Sequence, residues 1–248
     1  MALVPISRVS RWHCLLIAAL LMSPLCLVAG GIGNDQTQAL NKALGAYAAR
    51  DFKTAWSLLM PLANQGVAEA QRKIGVMYRH GLGVAKDDEK AIYWYRKAAK
   101  NGHVRAQNSL GVMYRFGMGV KRDPKEAARW LQAAAEQGDP KGQENLGLMY
   151  LDGDGVQQNA QSAVFWLRKA AMQGQMKSQL TLGILTLAGR GTPQNNEVGM
   201  QWIRKSALKG SRQAAQALAK AYAEGLYGLA RDPEQARYWF GRAGQNMQ

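Results

Sequence analysis

Residues 103–138 read HVRAQNSLGVMYRFGMGVKRDPKEAARWLQAAAEQG, and this pattern of 36 residues decides the fold because the chain repeats it. Tryptophan and glycine return at the same interval. The recurring tryptophans are Trp94, Trp130, Trp166 and Trp202, and three glycine series begin at Gly66, Gly75 and Gly81. Self-similarity at a fixed period of this size indicates a protein built from stacked structural repeats. We therefore predict five units of about 36 residues in the segment 67–248, the last with one extra loop residue before its tryptophan, Trp239.

Each unit is predicted to contain two short helices. In the first unit, apolar residues at helical spacing indicate a first helix from Ala68 to Arg79. It should end at Gly81, because glycine adopts the left-handed conformation at little cost. The second helix of each unit should begin at a residue whose side chain accepts hydrogen bonds from free backbone N–H groups. These predicted N-caps are Asp87, Asp123, Asn159, Asn195 and Asp232.

The glycine inside the first helix, which begins the Gly75 series, is costly in a helix interior and needs a reason. We expect the tryptophan of the paired helix to occupy the space that a side chain would take. At the N-terminal end of the array, residues 38–66 keep the helical spacing but lack the Gly-x-Gly loop. They are predicted to form a degenerate capping repeat that covers the first open face of the stack.

Residues 1–30 have a different composition from the rest of the chain. Arg8 and Arg11 precede an uncharged apolar run that ends in small residues at Ala29 and Gly30, which is typical of a cleaved secretory signal peptide. An uncleaved membrane anchor and a lipid anchor at Cys26 are the alternatives. Cleavage would remove both cysteines, leave a net charge of +13 out of +15, and direct the protein to the periplasm of a Gram-negative host.

The second unit carries a recognisable motif in full: Ala106, Leu110, Gly111, Tyr114, Gly117, Gly119, Asp123, Ala127, Trp130 and Gly138. This motif resembles the Sel-one-like repeat (SLR), a relative of the tetratricopeptide repeat, and the resemblance covers nearly the whole chain after residue 30. It implies an all-α fold, a right-handed α-solenoid of stacked antiparallel helix pairs, that acts as an adaptor for protein complexes. Exported bacterial members of the family take part in envelope assembly, signalling and host contact. A disulfide-rich subgroup is linked to penicillin binding, but this chain lacks the cysteines of that subgroup.

The sequence contains no constellation typical of catalysis or of a cofactor site. His80 and His103 have no recurring partner ligands, so no metal site is predicted. The Gly-x-Gly loops follow helices and lack the Lys-Ser/Thr pair of a phosphate-binding loop. We therefore predict a protein without enzymatic activity and without a cofactor. A cell-wall enzyme accessory with hydrolase-like activity is the alternative, and it would require turnover by the purified chain alone.

The positions that vary between units are the candidates for binding. If the likeness to tetratricopeptide units holds, they face a concave groove that is basic at its N-terminal half and aliphatic at its C-terminal half. Such a groove would take an extended or helical segment of a protein partner with acidic and apolar side chains. Alternatively, the aliphatic residues only fill the space between first helices. The candidates are Arg72, Lys73, Arg79, Arg105, Arg115, Leu148, Leu151, Leu180, Ile184 and Leu187.

The charge suggests a second class of partner. The chain has 32 Lys and Arg residues against 17 Asp and Glu residues, and a surface so basic attracts anionic envelope polymers or anionic lipid. A solvated outer surface also accounts for this charge, since much of it lies on the second helices. Specific binding to nucleic acid is not expected of an exported protein.

Overall fold

The computed structural model describes residues 34–244, and helices joined by short turns make up this whole region. There are twelve helices and no strand among these residues. The helices are α1 (Asn34–Ala48), α2 (Phe52–Asn64), α3 (Ala68–His80), α4 (Asp88–Lys100), α5 (Val104–Phe116), α6 (Pro124–Glu136), α7 (Pro140–Asp152), α8 (Ala160–Met172), α9 (Met176–Ala188), α10 (Asn196–Leu208), α11 (Arg212–Glu224) and α12 (Pro233–Arg242). The predicted signal peptide, residues 1–30, lies outside the described residues and stays a prediction.

The helices stack in chain order, which confirms the predicted all-α solenoid. Each helix packs mainly on its neighbours in sequence, so that α3 and α4 form the first unit and α11 and α12 the fifth. The pair α1 and α2 precedes the first unit and contains the segment predicted to cap the array, although α1 begins at Asn34 rather than at residue 38. None of the helices in residues 34–244 is both long and apolar enough to cross a membrane.

The predicted helix ends are confirmed at every unit. Asp123 is the N-cap of α6, where its Oδ1 accepts a hydrogen bond from the backbone N–H of Glu126 at 3.0 Å, and the other four predicted N-caps make the equivalent bond. Each first helix ends at the predicted glycine in the left-handed conformation, with φ between 65° and 71° from Gly81 to Gly225. Local chemistry therefore sets the end of each first helix and the start of each second helix.

The prediction that the tryptophan of the paired helix fills the space beside each helical glycine is wrong. A Cβ on Gly111 would lie 2.6 Å from Cγ of Leu131, the residue that follows Trp130, and Gly147 and Gly183 stand in the same relation to Leu167 and Ile203. Trp130 instead packs against the cluster between its own unit and the preceding one, which includes Leu110. The physical reason is that neighbouring residues on a helix point about 100° apart, so only one of the two can face the glycine.

A column of buried glutamines, which we call the glutamine ladder, ties consecutive helices together. Its members are Gln71, Gln107, Gln143 and Gln179, all at most 6% exposed. Each side-chain amide donates to the backbone carbonyl eight residues earlier, as from Gln143 to Ala135 at 3.2 Å. In the first three members, the side-chain oxygen also accepts a hydrogen bond from an amide 30 residues later, such as Gln173 to Gln143 at 2.8 Å. The ladder satisfies carbonyl groups at the helix ends that would otherwise be buried without a partner.

Candidate functional site

The ten candidate residues lie on the first helices α3, α5, α7 and α9, and their combined surface is called the first-helix face below. At its N-terminal end, Arg72 is not free to meet a partner. Its guanidinium is bound by Glu69 of the same helix at 2.6 Å, and its side chain is only 12% exposed. Glu69 also contacts His103 of the next unit, 2.6 Å from Nε2. Arg72 therefore belongs to a cluster that joins the first two units.

The charge of Glu69 is the reason why this cluster is stable. Burial alone would raise the pKa of this carboxyl, but the hydrogen bonds from Arg72 and His103 and the charge of Arg72 outweigh it and lower the pKa from 4.5 to about 2. The imidazole of His103 contacts two helices: its Nε2 lies near Glu69 of α3, and its Nδ1 accepts a hydrogen bond from the N–H of Ala106 in α5 at 3.3 Å. The ionised Glu69 thus connects the start of α3 to the start of α5.

The other basic candidates differ in how far they are occupied. Arg115 forms ion pairs with Asp152 at 2.8 Å and Asp154 at 3.0 Å in the next unit, and its side chain is only 11% exposed. Arg79 contacts the sulfur of Met118 at 3.6 Å. Lys73 lies 4.1 Å from the centroid of the Tyr47 ring. Most basic side chains in the N-terminal half of the predicted groove are therefore engaged in contacts between units.

Most of the aliphatic candidates are packed. Leu180 and Leu187 are each only 8% exposed and lie in the core cluster between the fourth and fifth units, so they offer little surface to a partner. Leu148 and Leu151 pack against the cluster formed by the third and fourth units. Ile184 is different, since 52% of it is exposed. For the four leucines, the arrangement favours the alternative that they fill the space between helices.

Ile184 stands at the edge of an apolar pocket between the fourth and fifth units. The pocket has a volume of about 320 Å³, and its only charged lining residue is Lys220 of α11. Lys220 is exposed and forms no ion pair within the described part of the chain. The remaining lining residues are Leu187, Ala188, Met200, Ile203, Ala217, Leu226 and Tyr227. Such a pocket suits an apolar side chain with a negative group nearby.

A polar pocket of about 380 Å³ lies at the N-terminal ends of α5 and α7. Its lining includes the predicted Arg105 and also Lys141, and neither forms an ion pair with another described residue. The lining also includes Arg72, which is paired with Glu69, and Asp139, whose carboxylate accepts a hydrogen bond from the N–H of Gly142 at 2.7 Å. This corner could hold a carboxylate or another anion.

Lys141, Lys220 and Tyr227 were missed at the sequence level. Lys141 lies 36 residues after Arg105, and Lys220 lies 36 residues after Ile184. Both therefore stand at repeat positions already predicted to face the groove, and the period alone could have identified them. Tyr227 lies next to the point where the period fails. Residues 34–244 contain no group of three or more His, Cys, Asp or Glu side chains arranged to hold a metal ion.

Comparison with protein families agrees with this repeat geometry. The Sel1 repeat pattern matches residues 68–103, 104–139, 140–175, 177–211 and 212–246, which is most of the chain. The chain belongs to the Sel1 repeat family. Sel1 repeats typically form scaffolds for protein interaction, and they are generally not catalytic. No match to the sequence was found among curated proteins.

Solved structures show the same architecture. A Sel1 repeat protein from Oxalobacter formigenes is 33% identical with a TM-score of 0.77, and the match covers 84% of this chain and 85% of that one. The protein c5321, a protective antigen of uropathogenic Escherichia coli with an SLR fold, is 38% identical with a TM-score of 0.75. That match covers 78% of this chain but only 41% of the antigen. An immunity protein from Pseudomonas aeruginosa, 18% identical over 82% of this chain and 80% of its own, shares the fold with a TM-score of 0.55.

Proposed function

We propose that this Sel1 repeat protein is a non-catalytic scaffold of the cell envelope, which binds a protein partner through the first-helix face after export to the periplasm. The observation that carries the proposal is the exposed Ile184 at the edge of an apolar pocket, beside Lys220, which has no ion-pair partner in residues 34–244. Apolar anchors that enter a pocket supply most of the binding energy of an interface, while nearby charges orient the partner and speed encounter. The signal-like pattern of residues 1–30 supports export, and so does the likeness to c5321, a protective antigen.

Export is tested with the full chain, tagged at its C-terminus and produced in a Gram-negative host. We expect the protein in the periplasmic fraction, with an intact mass that lacks about the first thirty residues. Protein that keeps its N-terminus and stays in the cytosol would contradict the proposed location. Protein that keeps its N-terminus in the membrane fraction would favour the anchor instead.

Partner binding is tested by capture from envelope extract with the same tagged protein. The capture is carried out at about 0.15 M and about 0.5 M salt, because the higher concentration screens contacts driven by charge alone. We expect a stoichiometric protein that survives high salt and is lost with Ile184→Asp. Leu208→Asp is the matched control, since Leu208 is 54% exposed but lies on the second helix α10. Equal capture by both variants would refute binding at the first-helix face.

A second candidate function, binding of an anionic envelope polymer, is favoured by one specific feature. Arg105, Lys141 and Lys177 recur every 36 residues near the starts of α5, α7 and α9, all exposed and without an ion-pair partner in residues 34–244. Positive charge at helix N-termini attracts anions. Purified lipopolysaccharide should then bind the wild type, lose affinity steeply with salt, and bind less well to the Arg105→Glu, Lys141→Glu double variant. Binding that is unchanged in this variant would exclude the row of cations as the polymer site.

A further inference from the structure

One residue interrupts the period of the repeats, in the loop between α11 and α12. The fifth loop, residues 225–232, reads GLYGLARD, whereas the first loop, residues 81–87, reads GLGVAKD. Removing Tyr227 would leave GLGLARD, which has the length and glycine spacing of the first loop. Tyr227 has a φ of 57°, in the left-handed region that residues other than glycine rarely adopt. The equivalent residue of every other unit is a glycine with φ between 68° and 76°, so the fifth unit differs in having a large side chain at this point and not in its backbone conformation.

In the other units, the second loop glycine brings the loop against the preceding unit. A Cβ on Gly119 would lie 2.5 Å from the carbonyl oxygen of Asp88, and one on Gly155 would lie 2.1 Å from that of Pro124. Gly191 makes the same close approach to Ala160, the first residue of α8. In the fifth unit, Tyr227 stands at this position, two residues after Gly225. A side chain of this size does not fit the close approach that Gly119, Gly155 and Gly191 make, so the fifth loop cannot lie against the start of α10 in the same way.

Two adjoining pockets lie at this junction, and both are lined by Met200 and Tyr227. The first is the apolar pocket of about 320 Å³ beside Ile184, and the second has about 480 Å³ and extends to Asn196 at the start of α10. An apolar cavity of about 150 Å³ already binds benzene, so the first pocket is large enough for a leucine or phenylalanine side chain of a partner.

Two polar groups at this junction have no partner within residues 34–244. Oδ1 of Asn196 is buried and accepts no hydrogen bond from the described residues. Lys220 carries an exposed positive charge at the first pocket, while the acid of the second pocket, Glu197, accepts a hydrogen bond from Gln201 at 3.2 Å. A buried acceptor without a donor is costly, and an unpaired cation beside an apolar pocket is complementary to a carboxylate. Lys220 and the first pocket therefore specify a ligand with an apolar side chain and a negative charge.

We propose that the junction between the fourth and fifth units, lined by Tyr227, binds a peptide segment of a partner protein. A large apolar side chain of the segment occupies the first pocket, and a neighbouring Asp or Glu pairs with Lys220. This inference rests on the proposed function, since it specifies the chemistry of the partner that the first-helix face binds. It makes the fifth unit the site of recognition and the earlier units its support.

The test uses a displayed library of random linear peptides. Peptides are selected on the full-length protein and counter-selected on the variant from which Tyr227 is deleted. We expect enriched peptides that share a large apolar residue next to Asp or Glu. The deletion should keep the helical circular dichroism and weaken their binding at least about tenfold, the effect of losing one anchor contact. If the deletion variant does not fold, Ile184→Asp and Lys220→Glu replace it in the same assay.

The control for Lys220→Glu is Lys205→Glu, which makes the same change of charge on the second helix α10. Lys220→Glu should weaken the selected peptides about tenfold and Lys205→Glu should not, because only the former removes a direct ion pair. Peptides that bind the deletion variant as tightly as the wild type would overturn the proposal, and so would a selection without enrichment. Because the peptides are synthetic, this result is independent of capture from envelope extract, and each experiment can fail alone.

Discussion

The first three units and the last two follow the same sequence pattern, but they differ in how completely their buried polar groups are satisfied. In the first three units, the glutamine ladder has both a donor and an acceptor partner at each step, as at Gln143. Within residues 34–244, the three buried side-chain atoms without a hydrogen bond are Gln179 Oε1, Asn196 Oδ1 and Trp239 Nε1, all in the last two units. The earlier units are thus built for stacking, and the departures from the pattern gather where we propose a partner binds.

The glutamine ladder shows how the residue at one position decides whether a buried polar group is hydrogen-bonded. Residues 101, 137 and 173 are Asn, Gln and Gln, and each donates its amide to a ladder glutamine. The equivalent residue in the fourth unit is Lys209, whose ammonium group donates to the carbonyl of Gly174 at 2.9 Å instead. Gln179 therefore keeps its bond to Ala171 but leaves its own oxygen unpaired. Regular repeats tolerate such a loss at one junction because stability is summed over all of the junctions.

The largest change in the free energy of unfolding is expected from substitutions of the loop glycines. Gly155→Ala should lower the free energy of unfolding by about 2–5 kcal/mol, since it combines left-handed strain with a clash against the carbonyl of Pro124. Gly228→Ala has the strain alone, with φ of 82° and open space around it, and should cost only about 1–2 kcal/mol. Urea unfolding followed by circular dichroism measures both. Equal losses would show that the fifth loop is as tightly packed as the others.

An intermediate effect is expected from Glu69, as a change with pH at the junction of the first two units. The pKa of Glu69 is about 2 in the folded protein against 4.5 for the free group, so its contribution is complete above pH 4.5 and is lost as the pH falls towards 2. The free energy of unfolding of the wild type should exceed that of Glu69→Gln by about 2–3 kcal/mol near neutral pH, and this excess should vanish in acid. A difference that stays constant down to pH 2 would contradict the role of the ionised carboxylate.

The smallest change in the free energy of unfolding is expected from a substitution next to the glutamine ladder. Lys209→Gln should raise the free energy of unfolding by about 1 kcal/mol, because the new amide can donate to both Gly174 and Gln179, as Gln173 does one unit earlier. The double variant Lys209→Gln, Gln179→Met is the control, since it has no side-chain oxygen to accept the new bond. Thermal melts of the two proteins would separate the outcomes. A gain that persists without Gln179 would show that the unpaired oxygen is not its source.

Sequence reasoning predicted the helix ends but not the partner of the helical glycine. Asp123 and Gly117 act within a few residues of themselves, so their type and place suffice. Gly111, in contrast, faces Leu131 because of how two helices are rotated against each other. A one-residue difference along the second helix separates the wrong partner, Trp130, from the right one. Periodicity alone could not resolve that difference.

The sequence by itself determined the number of units, their two-helix form and the all-α solenoid, because these follow from a period of 36 residues and from local capping chemistry. Only the tertiary structure decided which variable residues are available to a partner. Arg115 is occupied by acids 37 and 39 residues away, and Leu187 is covered by the fifth unit, while Ile184 stays exposed. The physical reason is that availability depends on contacts between units, and these contacts change from one junction to the next.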